Sequence, residues 1–372
     1  MIQIRPVESK KDRKAFIKLP YKIYENDQQW VAPLEMDVKG KLNRKHPFFE
    51  FGDMELFLAE KDGEVVGRIA AITNDRYNEH HPGRTGFFGF FECIDDQEVA
   101  NALLDTVKEN LQAKGLEIMH GPASPSSNYD YGLLIDGFDD SPRIMMTYNP
   151  PYYQKLLETY GLPKAKDLLA YKLIEEEVNT NEKLQRIAKM AKERAGLTIR
   201  QFDVKNLRAE VETFKHIYNE AWETNWGHVP FTEAEIDLMA KEMKMVVEPK
   251  LALFGEIDGK IMGMALAMPD YNIVVKEMKG KLFPFGFLKF FTKKKKINWV
   301  RILLLGILPE YQKRGLDSVF YTELIRASAE LNLVFGEASW ILEDNEMMKR
   351  GIGVVNGKVY KTYRIYELDI KS

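Results

Sequence analysis

The turn PEYQKRGLD, Pro309 to Asp317, joins a continuous apolar run, WVRILLLGIL from Trp299, to a segment of helical periodicity. Consecutive backbone N–H groups at the start of such a helix form a cradle for an anion, and a glycine lets the anion approach the chain. Gln312, Lys313, Arg314 and Gly315 therefore read as an anion site with local positive charge. Asp317 reads as a carboxylate that caps the helix and competes for the same donors. The segment TNWGHVP places Thr224, Asn225, Trp226, Gly227 and His228 in one loop, a grouping that fits a binding surface. PASPSSNYDYGLLIDGF, from Pro122 to Phe138 and including Asn128, is rich in turn residues and too long for a simple connection, as functional lids are.

The elements that must position these residues occur twice. IRPV at Ile4 is answered by IRQF at Ile199, KIYENDQQWVAP at Lys22 by HIYNEAWETNWGHVP at His216, and MELFLAEKDGEVVGRIAAITNDRYN at Met54 by LALFGEIDGKIMGMALAMPDYN at Leu251. HGPAS ending at Ser124 is answered by FGEAS ending at Ser339. Four matched blocks in the same order make two copies of one fold, and the long period means two domains. The first copy's loop keeps Trp30 and Pro33 but has no histidine, so tryptophan and proline read as loop supports and His228 as the residue that discriminates a binding loop. In the second copy the periodicities give strand, two helices, three strands, helix, strand, helix, strand. Its first hairpin turns at Asp258-Gly259, and its second helix opens with a capping pattern at Thr232 to Glu235.

Composition sets the outer limits. A chain of 372 residues with 45% hydrophobic and 12% aromatic residues can bury a core in each half. Lys plus Arg at 53 against Asp plus Glu at 56 leaves a net charge of -3, which excludes a globally basic nucleic-acid surface; no DNA partner is expected. The single cysteine, Cys93, excludes an internal disulfide framework and a cysteine-rich zinc site, no metal site is expected, and a reducing cytoplasm suits the chain. The N-terminal sequence lacks the apolar region of a secretory signal, and no run reaches membrane-spanning length.

The element order, with PEYQKRGLD between buried strand and long helix, resembles the GNAT superfamily of acyl-CoA N-acyltransferases. The resemblance implies an α/β (α+β) fold of two GNAT-like domains, 1–175 and 176–372, each a mixed, mostly antiparallel central sheet flanked by helices. It implies acetyl-CoA or another acyl-CoA as cofactor, held by Leu308, Gln312, Lys313, Arg314, Gly315, Leu316, Asp317 and Asn345. Gln312 and Gly315 occupy the first two signature positions of the family's pyrophosphate turn, and Asp317 stands where it has a small residue. The acceptor implied is a small-molecule or peptide amine, with Trp226, His228 and Asn128 on the acceptor side. Amine acylation needs a base, donors for the oxyanion and often an acid for the thiolate. Glu337, Glu343 and Asp344 flank the expected cleft as bases; the family's tyrosine acid falls at Ile352, which leaves Tyr363 or Tyr366 on the last strand.

The first copy departs where the cofactor would sit. Its counterpart of the turn, FECIDDQEVAN, has no glycine and carries Glu92, Asp95, Asp96 and Glu98, so the cofactor cradle is expected to be lost there. It keeps the family's last helix, glycine turn and final strand in NPPYYQKLLETYGLPKAKDLLAYKL. The insertion from Val274 to Asn298 mixes Phe283, Phe285, Phe287, Phe290 and Phe291 with lysines between Lys276 and Lys296. That composition suits a membrane surface, an RNA acceptor, or a flap packing its phenylalanines on its own protein. Two other functions stay open: a GNAT-fold binding or regulatory protein without catalysis, favoured by Asp317 and the missing tyrosine, and a Fem-like aminoacyl-tRNA-dependent transferase.

Overall fold

A computed structural model describes residues 1–223, 225–244, 246–282 and 286–371, with the side chains of Phe287 and Phe291 outside the described set. Thr224, Phe283 and Phe285 of the segments singled out above also lie outside it. The chain forms two compact units: unit 1 holds Met1–Leu168, Val274–Phe291 and Lys361–Ser372, and unit 2 holds Leu169–Ile273 and Thr292–Tyr360. In chain order the first repeat runs β1 (Ile2–Pro6), α1 (Lys10–Ile23), α2 (Glu35–Lys41), β2 (Gly52–Lys61), β3 (Glu64–Asn74), α3 (Asp75–His80), β4 (Thr85–Cys93) and α4 (Gln97–Ala113). It continues with β5 (Ile118–Gly121), β6 (Ala123–Ser124), β7 (Asp130–Tyr131), β8 (Leu133–Asp136), α5 (Tyr152–Tyr160) and β9 (Lys164–Ile174). Two joining helices follow, α6 (Glu175–Asn179) and α7 (Glu182–Ala195). The second repeat runs β10 (Thr198–Gln201), α8 (Leu207–Trp222), α9 (Glu233–Met243), β11 (Ala252–Ile257), β12 (Lys260–Pro269), α10 (Asn272–Met278) and α11 (Gly286–Lys293). It ends with β13 (Trp299–Ile307), α12 (Asp317–Glu330), β14 (Phe335–Leu342), α13 (Glu346–Val354) and β15 (Lys358–Asp369).

Each unit is a mostly antiparallel sheet flanked by helices. Unit 1 orders its strands β1-β2-β3-β4-β5-β15, with β8 also on β15; unit 2 orders them β9-β14-β13-β12-β11-β10. One parallel pair stands in each: β4 with β5, and β13 with β14. The closing strands are therefore exchanged. The first repeat's last strand, in unit 2 from Leu169 onward, lies beside β14, and the second repeat's last strand, in unit 1 from Lys361 onward, pairs with β5, Tyr366 opposite Gly121.

Local sequence accounts for most elements. Both β2–β3 and β11–β12 turn at Asp-Gly, with Asp62 at φ 54 and Asp258 at φ 50, the positive values a tight hairpin requires. Thr232 and Glu235 make the reciprocal capping box of α9, with Glu235 N donating to Thr232 Oγ1 at 3.1 Å and Thr232 N to Glu235 Oε2 at 2.9 Å. The join between the repeats holds α6, and α7 after it is capped by Asn181 and closed by Gly196 in the left-handed region. Unit 1 has one large apolar cluster under α4 and α5, from Phe57 to Ile370. Unit 2 packs Leu304 with Phe214, Ile236 and Met264, and Ile302 and Leu305 with Tyr321, Ala338 and Ile352.

Within unit 1, the insertion rests on the N-terminal helices. Glu35 N donates to Gly280 O at 3.0 Å, and Lys276 Nζ to Ser141 Oγ at 2.8 Å. Lys289 Nζ reaches back to Glu277 O at 2.6 Å.

Candidate functional site

In unit 2 the parallel ladder joins only Trp299–Ile302 to Phe335–Ala338, although β13 runs on to Ile307 and β14 to Leu342. Just past the last pair, Leu303 is an extra residue: Leu266 faces Leu304 and Ala267 faces Ile302. A bulge of this kind re-aims the backbone and ends pairing, and such bulges concentrate at functional sites. The result is a notch whose β13 wall, Ile302 to Leu305, is only half-buried. The sequence reads this run as a strand buried on both faces; loss of its neighbour beyond Ile302 is why it is not.

At the apex of the notch lies a buried polar network. Arg301 and Glu337 face each other in the ladder, with Nε 3.4 Å from Oε1. Ser339 Oγ donates to Glu337 Oε1 at 2.7 Å and accepts from Arg301 Nε at 2.9 Å, and the Tyr360 hydroxyl donates to Glu337 Oε2. Glu337 is completely buried, so removing its partners would strand a charge in a low-dielectric setting.

The turn after β13 adopts the backbone that an anion cradle needs, with Lys313 at φ 60 and Gly315 at φ 74. A Cβ on Gly315 would point toward α7, 3.7 Å from Ile187 and 3.9 Å from Ala191, so glycine serves the positive φ first. Lys313 and Arg314 are exposed, while Leu308 and Leu316 are buried beneath them. Gln312 Nε2 donates to Ile307 O at 2.9 Å and Arg314 Nη2 to Glu310 O at 2.7 Å, bracing the turn. Asp317 folds back so that its carboxylate accepts the N–H groups of Asp317 and Ser318; burial pushes its pKa up, and those two bonds pull the other way. Two donors of the cradle are thus already engaged. The notch and the cationic turn suit a pantetheine arm and its phosphates, but a pyrophosphate must use the remaining N–H groups or displace this carboxylate.

Unit 1 carries the same parts with the notch closed. β4 pairs with β5 only from Thr85 to Phe87, and the register shifts between Arg68 and Ala70, yet β4 is buried throughout except at Glu92. Phe90 N donates to Ser124 Oγ at 2.8 Å, and a Cβ on Gly89 would fall 1.7 Å from Ala123 O, so β6 closes against the strand. Tyr153 Oη accepts from Cys93 N at 2.8 Å and donates to Glu92 Oε2 at 2.8 Å, and Tyr152 Oη donates to Cys93 O at 2.7 Å. Burial pushes the Glu92 carboxyl up, opposed by Arg68 and the tyrosine hydroxyls. At the start of α4, Asp96 accepts from Glu98 N at 3.0 Å and binds Lys61 at 2.5 Å.

Two curated proteins match this chain from end to end. One, named bacterial ceramide synthase, from Caulobacter vibrioides, is 36% identical over 376 residues, 98% of this chain and 97% of the relative. Protein YghO of Escherichia coli is 32% identical over 373 residues, 99% of this chain and 95% of the relative. Among solved structures, a tandem GNAT protein from the clavulanic acid biosynthesis pathway has a TM-score of 0.59 at 10% identity, covering 100% of this chain and 99% of that one. The chain belongs to one family with the two curated proteins, and its fold is that of GNAT proteins. No protein-family profile matches it.

Within this GNAT fold the expected site residues fall in different places. Glu337 stands at the apex of the notch, and Glu343 lies in the turn after β14, where its carbonyl accepts from Lys349 Nζ at 3.0 Å. Asn345 caps α13, its Oδ1 accepting from Met348 N at 3.1 Å. Tyr363 and Tyr366 belong to unit 1: Tyr363 pairs opposite Leu134 on β8, and Tyr366 Oη bonds Glu158 at 3.1 Å. Ile352, at the family's tyrosine position, is completely buried. His228 packs 5.1 Å from the Tyr218 ring, itself stacked on Trp222, and Trp226 sits in the adjoining turn. Asn128 lies in unit 1, its N–H donating to Ser126 Oγ at 3.3 Å.

Three groups escape the sequence reading. Arg301 and Tyr360 are distant in sequence from Glu337: strand register brings Arg301 opposite it, and Tyr360 reaches it by its side chain from the last strand. His120 in unit 1 is completely buried, with Nδ1 2.9 Å from Glu367 Oε2 and Nε2 2.6 Å from Tyr131 Oη. It stands where the second repeat has Phe335, and that substitution in a matched block was the available signal.

Among the described residues no helix is long and apolar enough to cross a membrane.

Proposed function

We propose that the chain is an N-acyltransferase that moves a long acyl group from acyl-CoA to the primary amine of a long-chain amino alcohol, and that unit 2 carries the reaction. The observation that carries this reading is the end-to-end relation, at 36% identity, to a protein named bacterial ceramide synthase. A ceramide is the amide of a fatty acid with such a base. The relative's name thus favours a long acyl chain over the acetyl group expected from the sequence.

The geometry supports the assignment to unit 2. The thioester arm lies in the notch lined by Ile302 to Leu305, with its phosphates at Lys313, Arg314 and the free N–H groups of the turn. The amine nitrogen attacks the thioester carbonyl; its proton passes to Ser339 Oγ as the serine's proton passes to Glu337. The developing oxyanion is assigned to backbone N–H groups at the Leu303 bulge, where pairing is interrupted. The C–N bond forms, the C–S bond breaks, and the thiolate leaves toward solvent, where water protonates it.

A second reading, a binding protein without turnover, is favoured by the Asp317 carboxylate inside the cradle. One experiment separates them: purified protein with palmitoyl-CoA and sphinganine, followed by mass spectrometry of the lipid and thiol release. The amide and free CoA in equal amounts support transfer. Tight palmitoyl-CoA binding with no amide supports the second reading.

A further inference from the structure

A cavity of about 60 Å³ opens in unit 2 among α8, α9, β11 and β12. Its walls include Phe202, Val211, Met239, Ala240, Met243 and Leu266, and Lys244 is the one charged side chain among the described residues that line it. A polar ligand placed there would give up its hydrogen bonds to water without replacement. The occupant must therefore be hydrocarbon. Methionine is unbranched and soft, and a wall carrying Met239 and Met243 can widen around a chain longer than the resting space holds.

The cavity is also connected to the chemistry. Leu266 on its wall pairs with Leu304 across β12 and β13, directly beside the Leu303 bulge. Leu304, Leu266 and Met239 all pack on the same apolar cluster around Phe214. One cluster of packed apolar side chains thus joins the bulge to the cavity.

We infer that this cavity receives the alkyl chain of one lipid substrate while the reacting group stays at the notch, an inference that rests on the N-acyltransferase reading above. The cavity acts as a ruler: the chain that enters it is selected by length. The hydrocarbon belongs either to the amine or to the acyl donor, and two substrate series distinguish them.

The test measures kcat/KM for n-alkylamines from eight to sixteen carbons with one acyl-CoA, and for acyl-CoAs of the same lengths with one amine. In the series whose chain enters the cavity, kcat/KM should rise about fourfold per methylene and then level off. Ala240→Phe, projecting from α9, should end that rise at shorter chains and lower kcat/KM most for the longest substrates. Val211→Phe on α8 should do the same, so that a folding defect in one variant, checked by its thermal midpoint, does not decide the matter. Profiles of wild type and both variants that run parallel in both series overturn the inference while leaving the transfer reading intact. If no transfer is detected, titration calorimetry with dodecylamine and dodecanoate replaces the assay. Binding lost in Ala240→Phe then supports the cavity while the transfer reading fails, and binding equal in the variant overturns the cavity.

Discussion

The parallel pair β4–β5 in unit 1 and the parallel pair β13–β14 in unit 2 start alike and end differently. Both ladders stop after a few residues, β4 and β13 each carry an extra residue, and both lead into a helix whose first N–H groups meet a carboxylate. In unit 1 the gap is filled by β6, by Tyr152 and Tyr153, and by the Glu92–Arg68 pair, leaving β4 buried. In unit 2 the gap stays open, and four successive apolar residues of β13 remain half-exposed. The comparison teaches that a duplicated backbone keeps its bulge and splay for packing reasons. Whether the place works as a site depends on what fills it.

The comparison can be broken most severely by cutting the exchanged strand. Removing Lys361–Ser372 takes from unit 1 the strand paired with β5 and β8, together with buried Tyr363, Ile365 and Tyr366. Losing even one fully buried large side chain costs about 3–5 kcal/mol, a large share of a typical domain's roughly 5–15 kcal/mol. Circular dichroism of the truncated chain should show no cooperative folded state for unit 1; a native-like melt would mean that β15 is dispensable.

Next in size is the pair of carboxylates Glu337 and Glu92. Glu337→Gln should lower kcat by about 10²–10⁴, as loss of a general base does, while Glu92→Gln should leave kcat within a few-fold. Equal effects on turnover from the two substitutions would erase the distinction between the units. Smaller still is Asp317→Gly, which frees the N–H groups of the cradle. Acyl-CoA should bind about tenfold more tightly, the worth of one charge-assisted hydrogen bond, ~1.5 kcal/mol. Weaker binding in calorimetry would show that Asp317 helps to hold the ligand.

The smallest effect is expected from Glu367, where the His120 hydrogen bond holds the carboxylate below its ordinary 4.5 against the effect of burial. A carboxylate lowered in the folded state adds stability above the unfolded value, and that contribution disappears as pH falls through the folded value. Wild type should therefore lose stability below about pH 4.5 faster than Glu367→Gln. Urea melts from pH 7 to pH 3 that run parallel would contradict this.

Much of the fold was legible because its signals are local. The Asp-Gly hairpins, the Thr232–Glu235 capping box and the apolar run at Trp299 each depend on a few adjacent residues, and the repeat then doubled the information. The exchange of β9 and β15 was not legible, since alternation of side chains says that a strand forms and nothing about its neighbour. Helix α7 was missed although Asn181 and Gly196 bracket it, because its buried face is only Leu184 and Ala188. At the site, Glu337 was visible as a carboxylate beside a glycine on a strand. Its partner Arg301 is set by strand register and Tyr360 reaches it from the last strand, neither of which local sequence shows, and Asn345, readable as a cap or as a ligand, caps α13 through the Met348 N–H.

The central claim is that unit 2 alone accepts the acyl donor, and hydrogen exchange of the full chain with and without palmitoyl-CoA tests it most directly. Protection should rise in residues 302–318 and 339–345 and stay unchanged in residues 88–98. Protection gained in residues 88–98, with none in 302–318, would place the donor in unit 1 and contradict the account.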